Sequence, residues 1–286
     1  MTIAFLGLGS MGLPMATNLA RSATGLRVYN RTPGRAEPLR STGAAIVDSA
    51  ADAVRDADLV FTMLSDDAAV ESVVLGENGI LRHLRRGAVH ASMSTISAGL
   101  SERLSAAHQA ADQWYVAAPV FGRPEAAEAA KLWIVAGGPA EAIERCRPAF
   151  EAMSQGVLPA GEDPVHATVI KIAGNFLLAS AIEAMGEAFA LLRRAEVDPA
   201  AFLEIVNGHL LRSPIYQAYG TLLAEERWQP AGFKLRHGLK DVKLALAAGE
   251  RYMTPLPLAS LMRDNFLEAM AKGWGDDDWA ALGRRE

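Results

Sequence analysis

Apolar runs of four to six residues alternate with helix-like stretches over the first half of the chain. Ile3-Ala4-Phe5-Leu6 comes first, then residues 26–30, Ala44-Ala45-Ile46-Val47 and residues 59–64. Ala88-Val89-His90-Ala91, Trp114-Tyr115-Val116-Ala117 and Leu132-Trp133-Ile134-Val135-Ala136 continue the series. Seven such runs separated by helical segments predict βα units, a mostly parallel, doubly wound sheet and right-handed crossovers. The pattern changes near Gly161-Glu162-Asp163-Pro164. Beyond residue 165 no strand periodicity is left. One long helix is predicted over about 165–196, and Asp198-Pro199 opens the next. Further helices are broken by Ser213-Pro214, by Gln229-Pro230 and by the Pro255/Pro257 pair. The chain therefore reads as an α/β domain, residues 1–162, followed by an all-α domain, residues 163–286, entered through a long interdomain helix.

The first run leads directly into Gly7-Leu8-Gly9-Ser10-Met11-Gly12, and residues 13–20 then read as a helix. Alone, a G-x-G-x-x-G is weak; strand, glycines and helix in this order are the context that gives it meaning. Gly7 permits the tight turn. Gly9 lets a pyrophosphate approach the backbone, and Gly12 lets the helix pack closely on the strand. Free N–H groups at the helix start then face the anion. The bland alternative is a glycine-rich turn with no ligand. The motif makes the first domain a Rossmann-type dinucleotide-binding domain.

The second strand bears on which dinucleotide. An NAD site carries Asp or Glu about 20 residues after the glycines, bonded to the ribose 2′-OH. Here strand 26–30 ends in the neutral Asn30, followed by Arg31 and Thr32, with Arg35 a turn further on. A carboxylate there would repel a 2′-phosphate. A guanidinium binds one bidentately, and the Thr32 hydroxyl adds a donor. NADP(H) is expected in preference to NAD(H), against the alternative of a solvated basic loop.

Bulk properties narrow the rest. The 286 residues suffice for two domains; half are hydrophobic and 21% charged, as in an ordinary soluble globular protein. The formal net charge of −5 and the absence of a basic stripe argue against nucleic acid. A single cysteine, Cys146, cannot form an internal disulfide and suits a reducing compartment. A strand begins almost at residue 1, so no signal or transit peptide is expected. The apolar stretch 169–192 contains Lys171, Asn175, Glu183 and Glu187, which argues for a buried helix rather than a membrane span. A cytoplasmic enzyme is the expectation. The six histidines show no ligand spacing, so no metal is expected. Asp276-Asp277-Asp278 reads as a helix cap facing water.

Lys171 and Asn175 lie four apart in the long helix and share a face. Their neighbours Val169, Ile170, Ile172, Ala173, Phe176, Leu177 and Leu178 are apolar. A partly desolvated ammonium can act as proton donor or electrophile, with Asn175 holding it or the substrate oxygen. The alternative is an exposed lysine on an amphipathic helix. Gly174 between them lowers helix propensity by roughly 1 kcal/mol relative to Ala, which makes sense where something must approach the backbone.

The chain resembles the β-hydroxyacid dehydrogenases. These are relatives of 6-phosphogluconate dehydrogenase and include 3-hydroxyisobutyrate dehydrogenases and glyoxylate/succinic semialdehyde reductases. Seven segments carry the likeness in order: residues 7–19, Tyr29-Asn30-Arg31-Thr32, Met63-Leu64-Ser65-Asp66-Asp67, Ser92-Met93-Ser94-Thr95, Ala118-Pro119-Val120-Phe121-Gly122, Lys171-Ile172-Ala173-Gly174-Asn175, and Phe233 through Lys240-Asp241. The resemblance implies that Lys171 polarises and protonates the substrate carbonyl, that Asn175 orients substrate and lysine, and that Lys240 lies near the cofactor with Asp241 supporting the site. It implies that Phe233 packs by the nicotinamide and that Met63, Leu64, Thr95 and the glycine turn line the cofactor cleft. It also implies an active site between the domains, and a homodimer or tetramer formed through the helical half. A structural role is expected for His237.

One segment departs from the family. The substrate loop usually reads D-A-P-V-S-G-G; here it is Ala117-Ala118-Pro119-Val120-Phe121-Gly122-Arg123. Phe121 stands for the serine that holds a substrate carboxylate, and Arg123 for the second glycine. Arg123 can take over the carboxylate. Alternatively the pocket has turned apolar and accepts an uncharged carbonyl or an imine. A third possibility leaves Phe121 merely packed under the loop, backbone amides holding the anion, and Arg123 in solvent. Two function classes stand beside the reductase of small β-hydroxyacids or semialdehydes. One is an imine reductase, although those relatives generally carry Asp or Tyr in place of Lys171. The other is a non-catalytic NADP-binding module, which the intact Lys171, Asn175 and Lys240 oppose.

Overall fold

The structure is a computed structural model and describes residues 1–22 and 25–285. Its contacts divide the chain into two units, Met1–Lys171 and Ile172–Glu286, so the division falls inside the long helix. In chain order the first unit comprises β1 (Ile3–Leu6), α1 (Gly12–Ser22), β2 (Leu26–Tyr29), β3 (Ala45–Ile46), α2 (Ala50–Val54), β4 (Leu59–Thr62), α3 (Asp67–Leu75), β5 (Val89–Ser92) and α4 (Ala98–Ala110). Then come β6 (Trp114–Ala117), β7 (Val120–Phe121), α5 (Pro124–Glu128), β8 (Leu132–Ala136), α6 (Ala140–Met153), β9 (Ser154–Pro159) and the start of α7 (Pro164–Arg194). The second unit holds the rest of α7, α8 (Pro199–Ile205), α9 (Pro214–Ala224), α10 (Leu235–Arg251) and α11 (Pro257–Ala271).

Six strands form a parallel sheet in the order β3-β2-β1-β4-β5-β6. β1 lies between β2 and β4, where strand order reverses; doubly wound sheets bind ligands at this switch point. β1 and β4 read as nearly continuous apolar runs because both of their faces are covered. Along β1, Ile3 and Phe5 enter one core with Leu19, Phe61 and Phe150, while Ala4 and Leu6 enter another with Val60, Leu100 and Leu104.

The seventh apolar run does not join this sheet. β7 turns the chain back, and β8 runs antiparallel to it, with Val120 opposite Ile134 and Phe121 opposite Trp133. β9 then pairs parallel with β8 to complete a separate three-stranded sheet. β7 and β9 escape the apolar pattern. β7 has only two residues, and β9 is an edge strand containing Gly156 and Pro159.

The first turns of α7 pack on the N-terminal unit. Thr168 Oγ1 donates to Ser101 Oγ at 3.1 Å, and Ala167 lies against Gly137. By length and composition α7 is apolar enough to cross a membrane; 44% of its most apolar window is buried within the chain. In the second unit Phe189, Tyr219, Met262, Phe266 and Trp279 form an all-helical core. Asp198 and Ser213 cap α8 and α9, and Pro257 opens α11.

The three carboxylates near the end do not all face water. Asp276 is exposed and pairs with Lys234 at 2.8 Å and Arg236 at 2.5 Å. Asp278 is only 1% exposed. Its Oδ1 accepts from Ala280 N, capping the short 3-10 helix Trp279–Gly283, and its Oδ2 accepts from Gly232 N and Phe233 N. Three orphan backbone donors meeting at one carboxylate explain its burial.

Candidate active site

The N-terminal unit gathers several candidates around the end of β1. Gly7 has φ of +96°, and a Cβ there would lie 2.2 Å from Met63 O. A Cβ on Gly12 would lie 1.9 Å from Gly7 O, so the start of α1 sits directly on the turn. Nothing lies within 4 Å of where a Cβ on Gly9 would stand. The three glycines thus serve a left-handed turn, an open cradle and a close helix contact. Leu8 N donates to Asn30 Oδ1 at 2.8 Å, and Asn30 Nδ2 donates to Thr32 O at 2.9 Å. Asn30 therefore ties the glycine loop to the end of β2. Ser10 and Met11 complete the turn into α1. Arg31, Thr32 and Arg35 are exposed, with Arg35 in the short 3-10 helix Pro33–Arg35.

On the other side of β1, Met63 N donates to Leu6 O, and Leu64 N donates to Ser94 Oγ at 2.8 Å. Met63, Leu64, Ser94 and Thr95 thus gather at the ends of β4 and β5 beside the glycine turn. Ser94, named in the sequence only as part of the Ser92–Thr95 segment, belongs to this group through its hydroxyl.

Beneath them runs a buried polar chain. Thr62 Oγ1 lies 2.9 Å from His90 Nε2, His90 Nδ1 lies 2.9 Å from His108 Nε2, and His108 Nδ1 lies 2.8 Å from Gln113 Oε1. Gln113 Nε2 donates to Leu81 O and Leu84 O, so its Oε1 is the acceptor. The proton order follows. His108 carries hydrogen on Nδ1, His90 on Nδ1, and the Thr62 hydroxyl donates to His90 Nε2. Both rings are neutral. Burial pushes His90 well below the ordinary range, with His108 adding to the effect, and pushes His108 down to about 4.

The substrate loop and α7 bring two candidates together. Lys171 is 8% exposed, and its Nζ lies 4.1 Å from the centroid of the Phe121 ring. Pro119 and Val120 are buried. Gly122 has φ of +139°. Arg123 precedes α5, with Nε 3.9 Å from Glu125 Oε2.

The helical unit holds the other candidates. Asn175, one turn beyond Lys171 on α7, is buried; its Nδ2 donates to Asp241 Oδ2 at 2.5 Å. Lys240 Nζ lies 3.0 Å from Asp241 Oδ1. The Asp241 carboxylate therefore fixes one amide and one ammonium at once. Phe233 stacks edge-on against Trp279 at 4.7 Å, and Trp279 N donates to Phe233 O. Trp279 and Asp278, absent from the sequence-derived candidates, hold the Phe233 turn from 45 or so residues away. His237 lies 5.8 Å from the Phe233 ring, and burial, then Lys240, lowers its pKa. Among the described residues no cluster of His, Cys, Asp and Glu could hold a metal ion.

Comparison with known proteins identifies the family. The model of the NAD binding domain of 6-phosphogluconate dehydrogenase matches residues 2–163. That for the NAD-binding of NADP-dependent 3-hydroxyisobutyrate dehydrogenase matches residues 166–285. The chain belongs to the β-hydroxyacid dehydrogenase family. An uncharacterized oxidoreductase of Bacillus subtilis, YfjR, is 46% identical over 99% of this chain and 98% of its own length. The 3-hydroxyisobutyrate dehydrogenase of Pseudomonas aeruginosa is 33% identical over 92% of this chain and 90% of its own. Among solved structures, Mycobacterium tuberculosis 3-hydroxyisobutyrate dehydrogenase with L-serine has a TM-score of 0.88 at 28% identity, covering 99% of this chain and 97% of that one. This β-hydroxyacid dehydrogenase relative is accordingly an NAD(P)-dependent oxidoreductase with a Rossmann-type N-terminal domain and a helical C-terminal region. The open cradle at Gly9 and the helix start behind it fit a dinucleotide pyrophosphate.

Proposed function

We propose that this enzyme transfers hydride between NADP(H), in preference to NAD(H), and a small β-hydroxyacid or its semialdehyde, with Lys171 as general acid and base. The observation that carries this is Lys171 itself: an ammonium almost wholly withdrawn from water, on the helix turn before a hydrogen-bonded, buried asparagine. Buried lysines are rare unless paired or functional.

When bound, the cofactor supplies or accepts the hydride. The protein does the rest. Lys171 gives a proton from Nζ to the carbonyl oxygen during reduction and takes the hydroxyl proton during oxidation. Its charge is most valuable as the oxygen becomes alkoxide-like, which is differential stabilisation of the transition state. Asn175 orients the substrate oxygen, and Asp241 holds the Asn175 amide and Lys240 in register. The glycine turn, Met63, Leu64 and Thr95 hold the cofactor, Phe233 and Lys240 are its further contacts, and Arg31, Thr32 and Arg35 bind the 2′-phosphate. Pro119, Val120, Phe121, Gly122 and Arg123 form the substrate loop, with Arg123 as the carboxylate ligand.

The Phe121–Lys171 contact favours a second reading in which the substrate is an uncharged carbonyl or an imine. The test is NADPH and NADH oxidation by purified protein against succinic semialdehyde, glyoxylate, an uncharged aldehyde and a cyclic imine. Turnover of the carboxylated aldehydes with NADPH supports the first reading. Turnover of the uncharged compounds alone supports the second, and turnover of none contradicts both.

The protein is proposed to act in the cytoplasm as a homodimer or tetramer. α7 exposes Ile170, Ala173, Leu177, Ala184 and Leu191 at alternating helical spacings, with Leu177 66% and Leu191 70% exposed. An apolar stripe of that length on one helix suits a second copy of the chain.

A further inference from the structure

We propose that Phe121 is a positioning residue for Lys171: its ring face holds the ammonium by a cation–π contact and, offering a substrate carboxylate no hydrogen bond, leaves that group to Arg123. The inference rests on Lys171 being the proton donor.

Three observations carry it. The Lys171 Nζ lies 4.1 Å from the ring centroid, inside the range of an effective cation–π contact. The lysine is nearly excluded from water, where such contacts are stronger because hydration no longer competes. The backbone that carries the ring is also held in place. Phe121 pairs with Trp133 in the β7–β8 ladder, and the next residue, Gly122, sits at φ of +139° with Leu132 Cδ2 only 2.6 Å from where its Cβ would stand. The β7–β8 ladder holds this stretch of backbone in register.

Two consequences follow from ring chemistry. A benzene face is negative, so it attracts an ammonium and limits the lysine's rotamers without accepting a proton from it. It differs in this from a carboxylate partner, which would compete with the substrate oxygen for that proton. The same face repels a carboxylate and offers it no hydrogen bond. An anionic group next to the reacting carbon therefore meets an unfavourable surface at position 121. A substrate carboxylate is therefore turned towards Arg123 and away from the ring.

The experiment replaces Phe121 with a series of increasingly fluorinated phenylalanines, which keep shape while draining the ring face of negative charge. Kinetics are measured with NADPH and an uncharged aldehyde. The expected result is a progressive fall in kcat, about 2- to 30-fold in total, the span of cation–π energies at room temperature, with KM for NADPH unchanged. A flat kcat across the series overturns the positioning role. A second readout needs no turnover. In cofactor-free protein labelled at the lysine side-chain carbons, the Lys171 ε-protons are expected at high field from the ring current. They are assigned by their loss in Lys171→Met and move to the ordinary position in Phe121→Leu. An ordinary Lys171 shift in the unsubstituted protein overturns the contact itself. For specificity, Phe121→Ser is expected to raise the kcat/KM ratio of a carboxylated over an uncharged aldehyde about tenfold or more; an unchanged ratio overturns the exclusion. Full activity in Lys171→Ala would instead remove the proposed function on which the inference rests. A dead Lys171→Ala with a flat fluorine series removes the Phe121 role alone.

Discussion

Acid should loosen the N-terminal unit through two histidines that nothing outside touches. His90 and His108 are buried and neutral in the chain from Thr62 to Gln113, and neither can gain a proton without losing an acceptor nitrogen that the chain uses. Burial lowers both pKa values, His108 to about 4 and His90 well below its ordinary 6.5. Unfolded, each ring binds a proton near 6.5. Between there and the folded pKa the unfolded chain carries more protons, so stability falls as pH falls. The loss is absent above about pH 7 and grows downward through the folded pKa. At pH 5 an unfolded histidine is almost fully protonated and the folded one still neutral, which costs about 2 kcal/mol per ring, or about 4 kcal/mol for the pair. That is a large share of a typical domain's stability. Urea unfolding followed by the fluorescence of Trp114 and Trp133 at pH 8 and pH 5 measures it. His108→Gln should flatten the pH dependence by about 2 kcal/mol relative to its own value at pH 8, whatever it does to absolute stability. An unchanged slope in that variant, or imidazole signals of His90 and His108 titrating near 6.5 in the folded protein, would refute the reasoning.

Other expectations concern separate parts of the molecule. Replacing Arg31 and Arg35 by Ala should raise KM for NADPH roughly 10- to 100-fold, the range for hydrogen bonds to charged groups, and leave KM for NADH nearly unchanged; steady-state kinetics with both cofactors checks this. Asp278→Ala leaves three backbone donors without their acceptor and should destabilise the helical unit by about 3 kcal/mol, with a smaller loss for Asp278→Asn, as read by urea unfolding. Leu177→Glu combined with Leu191→Glu should convert the oligomer to a monomer by sedimentation at micromolar concentration, since each would place a charge in the proposed apolar contact.

How much of this was legible in the chain depended on burial and distance. Most strands of the parallel sheet show in the sequence, β1 and β4 most plainly, because covered faces demand nearly continuous apolar residues. β8 shows too, but nothing in its composition reveals that it pairs with β7 and β9 instead. The switch of sheets is made by the two residues of β7 and the glycine after them, too short a segment to leave a periodic trace. The glycine turn is readable because each glycine answers a local steric need. The Phe121–Lys171 contact is not, since it joins residues fifty positions apart, although the departure of Phe121 from the family loop pointed at the place. Nor does sequence separate Asp278 from Asp276: adjacent carboxylates look alike until the backbone donors that surround one of them are known. His90, His108 and Gln113 look like ordinary surface polars for the same reason, their partners lying on β4 and in the loop before β5.

The most direct test of the account removes the Lys171 ammonium while preserving everything that holds the cofactor. Lys171→Ala should bind NADPH with a Kd within about twofold of the unsubstituted protein, read by nicotinamide fluorescence. On the best substrate of the panel its kcat should fall at least 100-fold, the lower bound for losing a positioned general acid. Turnover within a few-fold of the unsubstituted enzyme would contradict the central claim, because the proton would then come from another group.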